Sequence, residues 1–187
     1  MTKKDKNKEK GFTLIELMVA TSIFSMVMLA SLGALFTLLG ASKNSRATHT
    51  AMDNVNFALE SMTRSIRMGS KYYCTEAGYY PPTNLVNGKN CSGGGTAISF
   101  FPQGEKETPT TYMLEEETIK KYIGEDNAGV QVISDAVNVE DLSFYVTGAK
   151  DSNKQPSVFI RLKGVVSVKK EKEIPFLIQT FINQRNY

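Results

Sequence analysis

Thirty consecutive residues, Phe12 to Ala41, contain one formally charged side chain, Glu16. No water-soluble surface is built that way. As an α-helix at about 1.5 Å per residue the stretch would run about 45 Å, longer than the roughly 30 Å hydrocarbon core of a bilayer. One membrane pass is therefore expected over residues 12–41. It is preceded by Lys3, Lys4, Lys6, Lys8 and Lys10, with Asp5 and Glu9 among them, and these first eleven residues hold the entire formal net charge of +3. The remainder balances, with 17 basic and 17 acidic side chains. Basic residues ahead of an apolar helix keep that end cytoplasmic, so everything after Ala41 should lie outside the membrane. The pI near 8.7 is then a property of the leader, and nucleic acid is not an expected partner.

The order of these parts excludes an ordinary secretory signal, whose cleavage site follows the apolar core. A cut at Gly11 would leave the apolar helix on the mature chain. Glu16 is costly a few residues inside such a helix unless it is neutralised or paired. Two readings are open for it: a carboxylate that snorkels to the membrane surface, or a partner for the amine of Phe12, which cleavage after Gly11 would free one helical turn away.

The run Gly11-Phe12-Thr13-Leu14-Ile15-Glu16-Leu17-Met18-Val19-Ala20, behind a Lys-rich leader, resembles the prepilin signal of type IV pilins and type II secretion pseudopilins. The resemblance implies cleavage between Gly11 and Phe12 by a membrane aspartic prepilin peptidase and N-methylation of Phe12. It also implies filament assembly through Glu16, with the apolar helix docking among other pilin or pseudopilin subunits at an inner-membrane assembly platform. The protein would begin as a single-pass cytoplasmic-membrane protein, amino terminus inside and head outside, and end in an extracytoplasmic filament.

Beyond the leader (1–11) and the apolar helix (12–41), residues 42–68 continue the helix with a different face. Met52, Val55, Leu59, Met62 and Ile66 recur at spacings of three and four, with Asp53, Asn54, Asn56, Glu60, Arg64 and Arg67 elsewhere on the surface. The stripe is too short for a free coiled coil and predicts a core face packed on the protein's own sheet. Gly69-Ser70 ends the helix. Residues 69–95, rich in Tyr, Pro, Asn and Gly, read as a loop region containing the only two cysteines, Cys74 and Cys91; outside the membrane these favour a disulfide.

Residues 96–187 alternate, and the expected strands include 98–101, 110–114, 118–123, 137–147, 158–168 and 174–182, with the acidic tip Glu115-Glu116-Glu117 between the second and third. The fold class is α+β and pilin-like: a long amino-terminal helix whose second half packs on one antiparallel sheet. Ser61–Arg67, Asp141–Val146, Gln155–Val158, Gln179-Thr180 and Arg185 look most like those of the J-type minor pseudopilins and W-type minor pilins.

Catalytic chemistry finds little to work with. His49, the only histidine, lies on a helix, no serine sits in a nucleophile elbow, and Gly93-Gly94-Gly95 lacks the lysine of a phosphate loop. Two sulfurs alone make no zinc site, and Glu125–Gly129 lacks the alternating acids and closing Glu of a calcium loop. No catalytic residue, metal or cofactor is expected, and an enzyme is not. Two classes of function remain. One is a structural subunit, a minor pilin or pseudopilin near a filament tip acting in assembly initiation and protein secretion. The other is a minor pilin acting as a DNA-uptake or adhesion module, for which Lys71, Tyr72, Tyr73, Tyr79, Tyr80 and Lys89 are the basic and aromatic candidates.

Overall fold

A computed structural model of the chain describes residues 11–75, 85, 87–124, 128–150, 154–169 and 172–185. It divides into two compact units, Met1–Ser45 and Arg46–Tyr187. In the first, α1 (Leu14–Arg67) starts directly after Thr13 and runs without interruption through Gly33 and Gly40. Its described side chains up to Lys43 are exposed. The hydroxyls of Thr21, Ser25, Ser31 and Thr37 donate to the carbonyls of Leu17, Thr21, Val27 and Gly33 at 2.8–3.0 Å. These polar groups are satisfied within the helix itself, as a hydrocarbon environment requires. The helix is long and apolar enough to cross a membrane.

In the second unit α1 becomes amphipathic. Ala51, Val55, Ala58, Leu59, Met62 and Ile66 are buried, whereas Asp53, Asn54, Asn56, Phe57, Glu60, Arg64 and Arg67 are exposed. Of the expected stripe, Met52 lies only half-buried at the margin, and Ala51 and Ala58 take the centre line. Small side chains there allow close approach of the helix backbone. The end of α1 is well satisfied. Tyr72 donates its hydroxyl to the carbonyls of Ile66 (2.7 Å) and Gly69 (2.9 Å), the Arg185 amide donates to Arg67 O (2.9 Å), and Gln184 Nε2 donates to Gly69 O (2.9 Å). Carbonyls that a helix terminus leaves unpaired are thereby taken up by the strand that follows and by the end of the chain. At Gly69 a Cβ would stand 2.4 Å from the Phe100 ring, so the turn out of α1 requires glycine for space.

The α+β class holds, but the strands form two antiparallel sheets where one was expected. The first contains β1 (Ser70–Thr75), β3 (Ala97–Phe101), β4 (Thr110–Glu115), β5 (Thr118–Ile123) and β6 (Val130–Gln131), in the order β1-β3-β4-β5-β6. The second contains β2 (Cys91–Gly95), β7 (Val137–Thr147), β8 (Ser157–Lys169) and β9 (Lys172–Asn183), in the order β2-β7-β8-β9. Residues 69–95 are thus not simply a loop, since they begin with β1 and end with β2. The Cys-Ser-Gly-Gly-Gly of β2 has no strand propensity of its own, and pairing with β7 (Cys91↔Val146, Gly95↔Phe144) makes it a strand.

One core joins α1 to both sheets through Tyr72, Ile98, Phe100, Tyr112 and Ile119 of the first and Leu142, Phe144, Val146, Val158, Ile160 and Leu162 of the second. The register stacks Leu142 on Leu162, Phe144 on Ile160 and Val146 on Val158. Strict alternation would turn Val137 and Val139 to the opposite face from Leu142. A bulge between Val139 and Asp141 absorbs the odd residue and all of these side chains are buried. The bulge also frees the Val139 amide to donate to Glu117 O in the β4–β5 turn at 2.7 Å, joining the two sheets. In β3 all five residues are buried, and the hydroxyl of Ser99 is satisfied by that of Thr111 at 2.6 Å.

The β4–β5 turn is tight, with Glu116 (φ 50°) and Glu117 (φ 61°) both left-handed, as a two-residue hairpin turn of the I′ kind demands. Beside it the hydroxyl of Tyr122 donates to Glu115, and Lys120 bridges Glu115 (3.3 Å) and Glu116 (3.2 Å). The Tyr122 hydrogen bond, aided by Lys120 and opposed by burial, lowers the Glu115 carboxyl below its ordinary value.

Two expectations follow. A fragment starting at Ser42 should fold alone, and Leu59→Ala should destabilise it by about 2–5 kcal/mol in denaturant unfolding; an unchanged transition would place that face of α1 outside the core. Because the folded Glu115 resists protonation, the stability it contributes is present above the ordinary glutamate range and lost as pH falls through its lowered folded value. Denaturant midpoints taken from neutral pH downward should therefore fall more steeply for the parent than for Glu115→Gln, and equal slopes would remove that linkage.

Candidate functional site

The candidate site begins where the chain is about to become helix. Gly11, Phe12 and Thr13 are non-helical and exposed, and α1 opens at Leu14. Thr13 is the N-cap. Its carbonyl accepts the Leu17 amide at 3.2 Å, the first bond of the helical ladder, and its hydroxyl oxygen accepts the Glu16 amide at 3.4 Å. Glu16 reaches back, its Oε2 accepting the Thr13 amide at 3.3 Å and the Thr13 hydroxyl at 3.1 Å. This is a capping box, in which each side chain accepts the other residue's orphaned backbone amide.

Glu16 therefore sits in the first turn of α1, where the helix dipole favours a negative charge. All of these contacts fall on Oε2, leaving Oε1 without a partner among the described residues. A carboxylate so placed can cap its own helix and still present an oxygen to a second positive group. Sequence reasoning singled out Gly11, Phe12 and Glu16 but missed Thr13. The signal was available, since Thr13-Leu14-Ile15-Glu16 ahead of an apolar run is the Ser/Thr-x-x-Glu pattern of a capping box.

The two cysteines are brought together from different sheets. Cys74 of β1 and Cys91 of β2 form a disulfide with their Cα atoms 5.8 Å apart. The segment leading to Cys91 lies along β1: the Lys89 amide donates to Tyr72 O at 2.9 Å and the Cys74 amide to Lys89 O at 3.2 Å. A Cβ on Gly95 would stand 2.5 Å from Cys74 Sγ and 2.6 Å from Thr75 O, so the disulfide and the glycine depend on each other. Asn90 accepts the Ala149 amide at 2.8 Å and anchors the other side of the segment.

Among the described basic and aromatic candidates, Lys89 and Tyr73 meet, whereas Tyr72 is withdrawn from the surface. Tyr72 is buried beneath the end of α1, and burial pushes its phenol well above the usual range. Lys89 lies 5.5 Å over the Tyr73 ring and Lys71 5.9 Å over that of Phe101, so each cation rests on a neighbouring ring. His49 is exposed on α1. Tyr79, Tyr80, Glu125–Asn127 and the leader lysines lie outside the described residues.

Residues 6–32 match the family described as the prokaryotic N-terminal methylation motif. No curated protein and no solved structure matches the chain at a significant level. The matched segment contains Gly11, Phe12, the capping box and the apolar helix as far as residue 32, and it supports a protein of the type IV pilin-like kind, a family of structural subunits. The apolar part of α1 fits the single membrane anchor typical of such proteins.

For the second unit, non-reducing peptide mapping should recover the Cys74 and Cys91 peptides linked. Replacing both cysteines with serine should cost about 3 kcal/mol, the chain-entropy value for a loop of this size. A stability unchanged by that replacement would mean that strand pairing alone holds β2 against β7.

Proposed function

We propose that this chain is a minor pilin or pseudopilin, a structural subunit at or near the tip of a type IV pilus or type II secretion pseudopilus, acting in assembly initiation and protein secretion. The observation that carries the reading is the methylation motif over residues 6–32, with Gly11–Phe12 lying just ahead of a helix whose first turn holds the lone carboxylate. The J-type and W-type likeness is supported by segments that fall on the end of α1, on β7 and at the start of β8.

In this reading residues 1–11 are a leader that holds the amino terminus inside, and residues 12–41 cross the membrane and later line the filament core. Residues 42–68 carry the head on their apolar face, and residues 69–187 form it outside the membrane. A prepilin peptidase hydrolyses the Gly11–Phe12 bond; the leader departs with the Gly11 carboxylate and Phe12 is left with a free amine, which takes a methyl group from an activated methyl donor, releasing the demethylated donor and a proton. The new cation lies four residues ahead of Glu16. In the bilayer a carboxylate without a cation costs kilocalories, and pairing it with the Phe12 amine of an adjacent subunit recovers part of that cost through attraction at low dielectric. Other pilin or pseudopilin subunits and the inner-membrane assembly platform are the partners.

Mass spectrometry of the protein from its native membrane should find it beginning at a methylated Phe12. Glu16→Ala should leave insertion and leader removal intact and reduce recovery of the subunit in sheared filaments. An intact leader would overturn the reading, and parental incorporation of the variant would take the pairing role away from Glu16.

A further inference from the structure

We propose that Thr13 is a positioning residue for leader removal: by capping α1 it holds the Gly11–Phe12 bond outside the helix, where a peptidase can reach it. The inference rests on the processing step proposed above. It adds a role for a side chain that touches neither the scissile bond nor the new amine.

If α1 were one turn longer, the Ile15 amide would donate to Gly11 O and the Glu16 amide to Phe12 O, following the i to i−4 pattern of the helix. The carbonyl of the scissile bond would then be tied into the ladder. In the structure the Glu16 amide is instead directed to the Thr13 hydroxyl at 3.4 Å, and the ladder opens with Leu17 N–H to Thr13 O at 3.2 Å. Gly11 and Phe12 are left non-helical and exposed. The Thr13 amide, which would otherwise be an orphan, is taken by Glu16 Oε2 at 3.3 Å. The hold of the Thr13 hydroxyl on the residue-16 amide does not involve the Glu16 carboxylate, so the start of the helix is kept when that side chain is removed.

The position matters because little else in the covalent chain would stop the helix there. Leu14, Ile15, Leu17 and Met18 follow, and the five leader lysines and Glu9 favour helices; Gly11 is the strongest opponent of propagation, with Asp5 and Asn7 weaker ones farther back. Hydrolysis needs an accessible carbonyl in extended chain, because water adds to that carbon as the bond to the Phe12 nitrogen breaks. Cleavage sites accordingly concentrate in exposed non-helical segments. The cap sets the end of the helix two residues beyond the bond to be cut.

The test is leader removal from the full-length chain in membrane vesicles containing a prepilin peptidase, followed as a rate by mass spectrometry. Thr13→Ala and Thr13→Val remove the capping oxygen and should slow removal roughly fivefold, the factor that corresponds to a typical N-cap. Thr13→Ser and Thr13→Asn restore a capping oxygen and should keep the parental rate. Amide exchange in micelles gives a second readout, in which Ile15, whose amide would join Gly11 O in the longer helix, gains protection in the Ala and Val variants and not in the Ser and Asn variants.

Parental rates in all four variants would overturn the proposal. So would an order that follows side-chain shape, with Val cleaved as fast as Thr and Asn slow, because that is recognition by the enzyme and not the start of the helix. A parent chain left uncut at Gly11 would instead remove the processing step itself, and the proposed function with it.

Discussion

One continuous helix has to satisfy two environments. Up to about Lys43 the side chains of α1 are exposed and mostly apolar, and its hydroxyls turn back onto its own carbonyls. From Ala51 onward one face is buried in protein and the other is charged. A helix can make this change because its backbone hydrogen bonds are internal and indifferent to the medium outside. What the medium decides is which side chains are tolerated, and that makes Glu16 conspicuous.

Glu16 is affordable because of where it stands. A carboxylate in mid-helix would meet only hydrocarbon, whereas in the first turn it meets the Thr13 amide, the Thr13 hydroxyl and the positive end of the helix dipole. The local hydrogen bonds do not cancel its charge. That residual charge is what gives the Phe12 amine its proposed importance, since capping and charge pairing use different capacities of one side chain and need not compete for the same oxygen.

The second unit depends on long-range connections made at a few points. The Cys74–Cys91 disulfide links an edge strand of one sheet to an edge strand of the other, and the bulge before Asp141 hands the Val139 amide to the β4–β5 turn. Both lie beside β7, the strand through which the second sheet meets the first. The end of the chain then returns to α1, where Gln184 and Arg185 occupy carbonyls at the helix terminus. Helix, sheets and carboxyl-terminal segment are therefore closed on one another by polar contacts as well as by the core.

The apolar run, the lone acid, the amphipathic stripe and the strands from 137 to 182 could be read from the sequence because each is a periodic pattern that a short stretch of chain expresses alone. The capping box was equally local, being written in four residues. What the sequence could not decide were the partners. β2 has a loop's composition and becomes a strand only through β7, and Val137 and Val139 reach the core only because a bulge shifts their register. Tyr72 resembles an interaction residue until the end of α1 closes over it. Division into two sheets is likewise a choice among pairings that local propensity leaves nearly equal. It is settled by which apolar faces can be buried at once against Val55, Met62 and Ile66, a condition on the whole fold that no single segment contains.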